Sequence, residues 1–232
     1  MRISVVLPAF NEEKLIGRCL SALTQASSAF AALGWTSEVI VCDNNSSDDT
    51  ARLAREAGAA VVFEPVNQIS RARNRGAAAA AGDWLLFLDA DSFPTRALFA
   101  DMAAAIGGGG CLGGGATVRL EGAQGSGAWG VRLWNAISRL THWAPGAFLF
   151  CDATAFRQVG GFNEELFVSE ELDLSRRLKR FGRREGRRLV TLHRHPLLTS
   201  GRKLHLYSRR EYGALLWRFL LHPRRSARDA AA

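Results

Sequence analysis

Through its first 90 residues this chain alternates short apolar runs with helix-patterned stretches, and that alternation restricts it to few folds. Ile3–Leu7, Glu38–Cys42, Ala60–Phe63 and Trp84–Leu88 read as strands. Glu13–Leu33, Thr50–Ala57 and Ile69–Ala81 read as the intervening helices, the last two stopping at Gly58 and Gly82. Successive βαβ units give an α/β fold with a mostly parallel central sheet flanked by helices. Ligands of such sheets lie beyond the carboxyl ends of the strands. Two of those ends carry carboxylates: Asp43 after the second run, and Asp89-Ala90-Asp91 after the fourth.

The pair at the second of these ends is costly to bury. One desolvated carboxylate is unfavourable, and another one residue away adds like-charge repulsion. A divalent cation removes both penalties, and hard oxygen ligands suit Mg²⁺ or Mn²⁺ shared with a substrate's phosphates. A strand end followed by an Asx turn is the plainer explanation of an isolated Asp-x-Asp. What decides between them is the company the pair keeps.

Composition sets the outer limits. A chain of 232 residues, 47% hydrophobic and 22% charged, is long enough for one domain with a sizeable core. Cys19, Cys42, Cys111 and Cys151 form no metal-ligand spacing and read as small buried hydrophobes of a reducing compartment. The N-terminus runs directly into a strand, with no secretory signal pattern. The net charge of +8 is concentrated between Arg176 and Arg228, which points to a polyanionic or membrane-surface partner or to a solvated basic face. No groove-reading motif accompanies that charge, so a nucleic-acid partner is not expected.

Further along, Gly107–Gly110 and Gly113–Gly115 bracket Cys111-Leu112 and read as a flexible turn before a strand at 116–120. Neither a Rossmann fingerprint nor a P-loop is present. Residues 129–143 form an amphipathic, Trp-rich pattern suited to core packing, an apolar acceptor wall or a membrane contact. A strand at Phe148–Cys151, a turn at Gly160-Gly161-Phe162 and a helix at Leu172–Phe181 ended by Gly182 follow. Glu170 and Glu171 open that helix, where carboxylates suit the dipole. Either could also take a proton from an attacking hydroxyl.

Taken in order, these segments resemble the family 2 glycosyltransferases of GT-A fold. Val5 through Glu12 is similar to the family's opening strand and nucleotide loop, and Val41 through Thr50 to its second loop. Ala72 through Asp83 is similar to the helix leading into the Asp-x-Asp strand, and Gly160 through Glu171 to the acceptor-side turn and base. The resemblance spans roughly residues 3–182. It implies that Pro8, Ala9, Asn11 and Glu12 line the donor's nucleotide, that Asp43 bonds its base, and that Arg73 helps hold that side. Asp89 would face ribose or metal, with Ala90 between, and Asp91 would ligate the Mn²⁺ or Mg²⁺ that bridges the diphosphate. Glu171 matches the base position, which is more often Asp, and Glu170 precedes it, so which of the two reaches the acceptor stays open. The Gln-x-x-Arg-Trp of processive synthases is missing. Thr199-Ser200-Gly201-Arg202-Lys203 stands in its place as a flap near the diphosphate, with Arg202 facing the donor.

The resulting expectation is a metal-dependent, inverting, non-processive glycosyltransferase. It would move one sugar from a nucleotide-diphosphate donor to an acceptor hydroxyl on a lipid carrier, a saccharide or a small metabolite. Two alternatives compete: a non-catalytic sugar-nucleotide-binding protein, and a nucleotidyltransferase, whose Gly-rich loop after the first strand is missing. Residues 1–222 are expected to form a single domain with a donor half at 1–92, an acceptor half at 93–200 and an amphipathic flap at 201–222, before a basic, disordered tail at 223–232. Ten apolar-rich residues at 212–221 are too few to span a ~30 Å hydrocarbon core. They suit an interfacial anchor on an anionic surface or packing on the domain, consistent with a cytoplasmic protein, peripheral on the inner face of the membrane if the anchor reading holds.

Overall fold

Strand β1, Arg2–Ala9, is apolar on both faces because both faces are covered. Ile3, Val5, Leu7 and Ala9 point into one buried cluster and Val6 into another on the opposite side. That is the signature of a central parallel strand, on which period-two alternation is lost. The computed structural model describes residues 1–122, 135, 147–167 and 169–201.

From β1 the chain runs through α1 (Ile16–Ala31), β2 (Thr36–Asp43), α2 (Thr50–Glu56), β3 (Ala60–Phe63), α3 (Ile69–Ala79) and β4 (Trp84–Leu88). Then follow β5 (Ser92–Phe93), α4 (Arg96–Gly107), β6 (Cys111–Leu120), β7 (Phe148–Asp152), α5 (Ala153–Gln158), α6 (Glu170–Arg184) and β8 (Arg188–Thr199). All strands join one sheet in the order β3-β2-β1-β4-β7-β6-β8-β5. The first four pair in parallel, as expected for βαβ units. Beyond β4 the sheet becomes mixed: β7 is antiparallel to both neighbours, β6 and β8 are parallel, and β5 is antiparallel to β8. The parallel first part and the mixed second part of the chain therefore share a single sheet.

Helices α1 and α4 cover one face through Ile16, Leu23, Phe30, Leu98, Phe99 and Met102. On the other face α3, α5 and α6 pack through Ala77, Phe156, Leu174 and Leu178. Strand β4 is buried throughout, alternating Trp84, Leu86 and Leu88 to the first face with Leu85 and Phe87 to the second. Burying a side chain such as Phe87 contributes about 1.5–3 kcal/mol, enough for this strand to be anchored up to its last apolar residue. The strand ends at Leu88, and Asp89-Ala90-Asp91 follow it with Ala90 still packed in the first cluster.

Several boundaries differ from the sequence reading. Helix α1 starts at Ile16 rather than Glu13, because Leu15 and Ile16 N–H groups both bond the Glu12 carbonyl in a tight entry turn. The glycine run at 113–115 is not a flexible turn but the middle of β6. A Cβ on Gly113 would strike the Phe150 carbonyl and one on Gly114 the Val190 carbonyl, so the glycines admit two neighbouring strands at close range. Gly182 does not end its helix either. Helix α6 continues to Arg184, and Gly182 is small because the Arg187 carbonyl would lie 2.5 Å from its Cβ. The sequence reading assigned no element to α4, whose weakly amphipathic, Ala-rich sequence is capped by Thr95 accepting from Leu98 N–H. The Trp-rich pattern at 129–143 and the segment at 212–221 lie outside the described residues.

Candidate active site

The carboxyl ends of β1 and β2 are tied together by their own loops. Asn11 N–H donates to Ser46 Oγ at 3.0 Å, and Asn11 Oδ1 accepts from Ser47 N–H at 2.9 Å. Glu12 N–H reaches Thr50 Oγ1 at 2.7 Å, and Glu13 N–H reaches Asp48 Oδ2 at 3.1 Å. Asn11 and Asn45 both adopt positive φ, at 53° and 64°, a region that Asn tolerates better than most residues. Asp43 is 6% exposed, and its Oδ1 accepts from Ser46 N–H. Pro8 is half-buried and Ala9 buried at the end of β1. Helix α2 is preceded by Asp48, whose Oδ1 accepts from Thr50 N–H at 3.0 Å, while the N-cap position itself falls on Asp49.

Two strands further on, β4 delivers Asp89, Ala90 and Asp91. Asp91 is 1% exposed and Ala90 is buried, whereas the Asp89 side chain keeps 15% of its surface. The chain returns to this point from β8. Ser200 N–H donates to the Asp91 carbonyl at 3.0 Å, and Thr199 Oγ1 lies 3.4 Å from Asp91 Oδ1. Beneath them sits Cys19, whose thiol is pushed up first by burial and further by the charges of Asp91, Asp89 and Glu12. One sulfur thus senses three carboxyl groups, which brings Glu12 of the first loop into the neighbourhood of the aspartate pair.

Arg73 of α3 enters the same region fully buried. Its Nη2 donates to Asp89 Oδ1 at 3.3 Å and its Nη1 to Glu170 Oε1 at 2.7 Å, while the Phe162 ring centroid lies 5.2 Å from the guanidinium carbon. Burial works against the guanidinium's charge, but Asp89, Glu171 and Glu170 more than offset it and raise its pKa. Glu170 and Glu171 open α6 directly after Ser169, a non-glycine residue at φ 67°. Glu170 is 4% exposed, and its carboxyl is pushed up to about 8 by burial and then by the charge of Glu171, against the opposing pull of Arg73. Glu171 is half-buried, and its Oε2 has no hydrogen-bond partner among the described residues.

The structure therefore brings Arg73, Asp89, Glu170 and Glu171 into one contiguous cluster adjoining Asp91. Asp43, Pro8, Ala9 and Asn11 occupy the neighbouring strand ends and loop. Arg73 sits buried between the carboxyl groups of Asp89 and Glu170. Arg202 lies outside the described residues. The Ser46, Ser47 and Thr50 contacts were not anticipated, since partners about 36 residues apart leave no local signal.

Among the described residues no group of three or more His, Cys, Asp or Glu side chains could enclose a metal by itself. The all-oxygen pair Asp89–Asp91 still fits a hard divalent cation that completes its shell with substrate oxygens.

A single mixed sheet with a carboxylate pair at the end of its fourth strand, facing an acidic helix start, defines a GT-A glycosyltransferase. The description Glycosyl transferase family 2 matches residues 4–156, and the chain belongs to that family. The glycosyltransferase AglE of Haloferax volcanii is 36% identical over 98 residues, covering 40% of this chain and 31% of AglE. The mannosyltransferase PcManGT of Pyrobaculum calidifontis, solved with GDP-Man and Mn²⁺, superposes with a TM-score of 0.70 at 18% identity, over 94% of this chain and 60% of that one. Glucosyl-3-phosphoglycerate synthase of Mycobacterium tuberculosis, solved with Mn²⁺, UDP and phosphoglyceric acid, gives 0.60 at 22% identity, over 94% and 78%. At such identities the superpositions speak for the fold. The matched stretch spans from 20% of one curated relative to 36% of another.

Proposed function

We propose that this glycosyltransferase moves a single sugar from a nucleotide-diphosphate donor to an acceptor hydroxyl with inversion, and that it depends on a divalent cation. The observation that carries the assignment of the base is Glu171 Oε2, buried and without a hydrogen-bond partner among the described residues, beside a Glu170 whose carboxyl is already engaged by Arg73. Glu171 takes the proton of the acceptor hydroxyl. That oxygen then forms its bond to the anomeric carbon from the face opposite the diphosphate, and the anomeric C–O bond breaks with its electron pair leaving on the nucleotide diphosphate.

Asp89 and Asp91 would hold Mn²⁺ or Mg²⁺ together with diphosphate oxygens. Bound there, the cation supplies Lewis-acid stabilisation of the charge on the leaving group. Asp43 bonds the nucleobase, and Pro8, Ala9, Asn11 and Glu12 shape its loop. Support for a divalent cation comes from the donor set and from PcManGT and the glucosyl-3-phosphoglycerate synthase, both solved with Mn²⁺. We also read the two halves as one catalytic domain, a reading supported by their common sheet.

A thermal-shift screen of UDP and GDP, each with Mn²⁺ and with Mg²⁺, tests the donor site, followed by release of nucleotide diphosphate from a panel of UDP- and GDP-sugars. Stabilisation by one nucleotide only when metal is present, with turnover on its sugars, is the expected result. Binding without any turnover would favour the sugar-nucleotide-binding alternative.

An anionic surface is the second partner. On α6, Arg180, Arg183 and Arg184 are exposed, and Arg183 lowers the Lys179 pKa further after burial has done so, leaving the far end of that helix densely positive. No helix among the described residues is long and apolar enough to cross a membrane. Salt-sensitive sedimentation with phosphatidylserine or phosphatidylglycerol vesicles is expected, and indifference to lipid charge would remove the idea.

A further inference from the structure

Arg73 heads the largest fully buried side chains among the described residues, and it is charged. A guanidinium so deep is tolerated only when its charge and its hydrogen-bond donors are met. Neither carboxylate that meets it belongs to its own helix. Asp89 stands at the end of β4, 16 positions on, and Glu170 opens α6, 97 positions on. The guanidinium is therefore a strut between the strand end of the donor half and the first turn of the acceptor helix.

Glu170 has two engagements that leave it little room for chemistry. Its Oε1 accepts from Arg73 at 2.7 Å, and its carboxyl lies beside that of Glu171, whose charge raises its pKa after burial has done so. Two carboxyl groups held this close favour one proton between them. Glu170, the more buried of the two, is the side on which it rests. We propose that Arg73 and Glu170 are positioning residues for Glu171: Arg73 fixes Glu170 from the donor side, and Glu170, as a carboxylic acid, donates to Glu171 and aims its free oxygen at the acceptor.

The groups facing Glu170 agree with this. Arg73 from α3 is the cation nearest it, Asp89 from β4 shares that cation, and Glu171 lies on its own helix. With the carboxyl pushed up to about 8, chiefly by burial, Glu170 is an acid at neutral pH and loses its donor proton above that. Glu171 then faces a like charge in place of a hydrogen bond. The inference rests on the proposed role of Glu171 and gives Glu170 a distinct one beside it.

The test compares Glu170→Ala, Glu170→Gln and Arg73→Lys with wild type. Nucleotide diphosphate release from the UDP- and GDP-sugar panel with Mn²⁺ gives turnover, and thermal shift with UDP or GDP plus Mn²⁺ gives donor binding. Glu170→Ala is expected to lower kcat roughly 10–100-fold while changing the donor KM less than about threefold, the pattern of a lost transition-state interaction. Glu170→Gln keeps an acceptor for Arg73 and a donor for Glu171, so it should recover most of that loss. It should also lack the decline in turnover expected of wild type above about pH 8. Arg73→Lys, which cannot span both carboxyl groups, should resemble Glu170→Ala.

Glu170→Gln as impaired as Glu170→Ala would overturn the proposal, since an ionised Glu170 would then be essential. So would an Arg73→Lys variant whose donor KM rises in step with its loss of kcat, because Arg73 would then belong to the donor pocket. If Arg73→Lys does not fold, the two Glu170 variants carry the comparison. Wild type that neither binds UDP or GDP with Mn²⁺ nor releases either would instead defeat the reading of the site, and this proposal with it. Stability of the ligand-free protein against pH, compared between wild type and Glu170→Gln, reports the proton on Glu170 without any substrate.

Discussion

Thr199 Oγ1 lies 3.4 Å from Asp91 Oδ1 and accepts from Ser92 Oγ at 3.1 Å, so β8 braces the second carboxylate of the pair from behind. All three side chains are buried. A ligand carboxylate held by a neighbouring hydroxyl keeps its orientation when the cation is absent, and loses it when the hydroxyl is removed. Thr199→Val preserves shape and deletes only the hydroxyl. It should weaken Mn²⁺-dependent binding of UDP or GDP about tenfold, read by titration calorimetry, with a change of no more than a few degrees in Tm.

Glu171 and Asp91 are expected to fail in different ways. Glu171→Gln should keep nucleotide binding and lose roughly 10²–10⁴-fold in kcat, the usual worth of a positioned general base. Asp91→Ala should raise the donor KM and flatten the response to Mn²⁺ concentration, and excess EDTA should silence the wild-type enzyme. Near-full turnover by Glu171→Gln would remove the base assignment. Activity unchanged in EDTA would remove the metal.

The first 90 residues were readable in advance because each of their strands announces itself locally. Trp84–Leu88 is an unbroken apolar run, and the strand found there has those bounds. The remainder was less readable for a physical reason. Strand β7 enters antiparallel between β4 and β6, pairings set by contacts 60–68 and 34–38 residues apart that no local pattern encodes. Arg73 shows the same limit within the site. The resemblance puts it on the nucleotide side, while the carboxylates it pairs with come from the end of β4 and the start of α6, and only the folded chain brings those to it. Gly113-Gly114-Gly115 misled in the opposite direction, since a glycine run suits a loose turn as well as a crowded strand.

That crowding is measurable. A Cβ at position 114 would meet the Val190 carbonyl of β8, a backbone atom that cannot swing away. Gly114→Ala should therefore cost about 3 kcal/mol, at the upper end for overpacking a tight site, and lower the denaturant midpoint accordingly. Gly110→Ala, where a Cβ would meet nothing within 4 Å, is the matched control and should be close to neutral. Equal effects of the two would mean that β6 is not packed as described.

The proton on Glu170 should also appear in the stability of the ligand-free protein. Its carboxyl is raised from the ordinary 4.5 to about 8, with burial as the leading cause. Between those values the folded state holds a proton that the unfolded chain has released, so folding is progressively penalised as pH rises. The stabilising contribution is complete below about pH 4.5 and gone once pH has passed about 8. Wild type should lose stability across this window by more than Glu170→Gln, which has nothing to titrate at that position. Chemical denaturation at pH 5, 6.5 and 8 measures the difference between the two proteins, cancelling groups common to both. Parallel stability curves would mean that Glu170 is ionised in the native protein, leaving Arg73 to neutralise it alone.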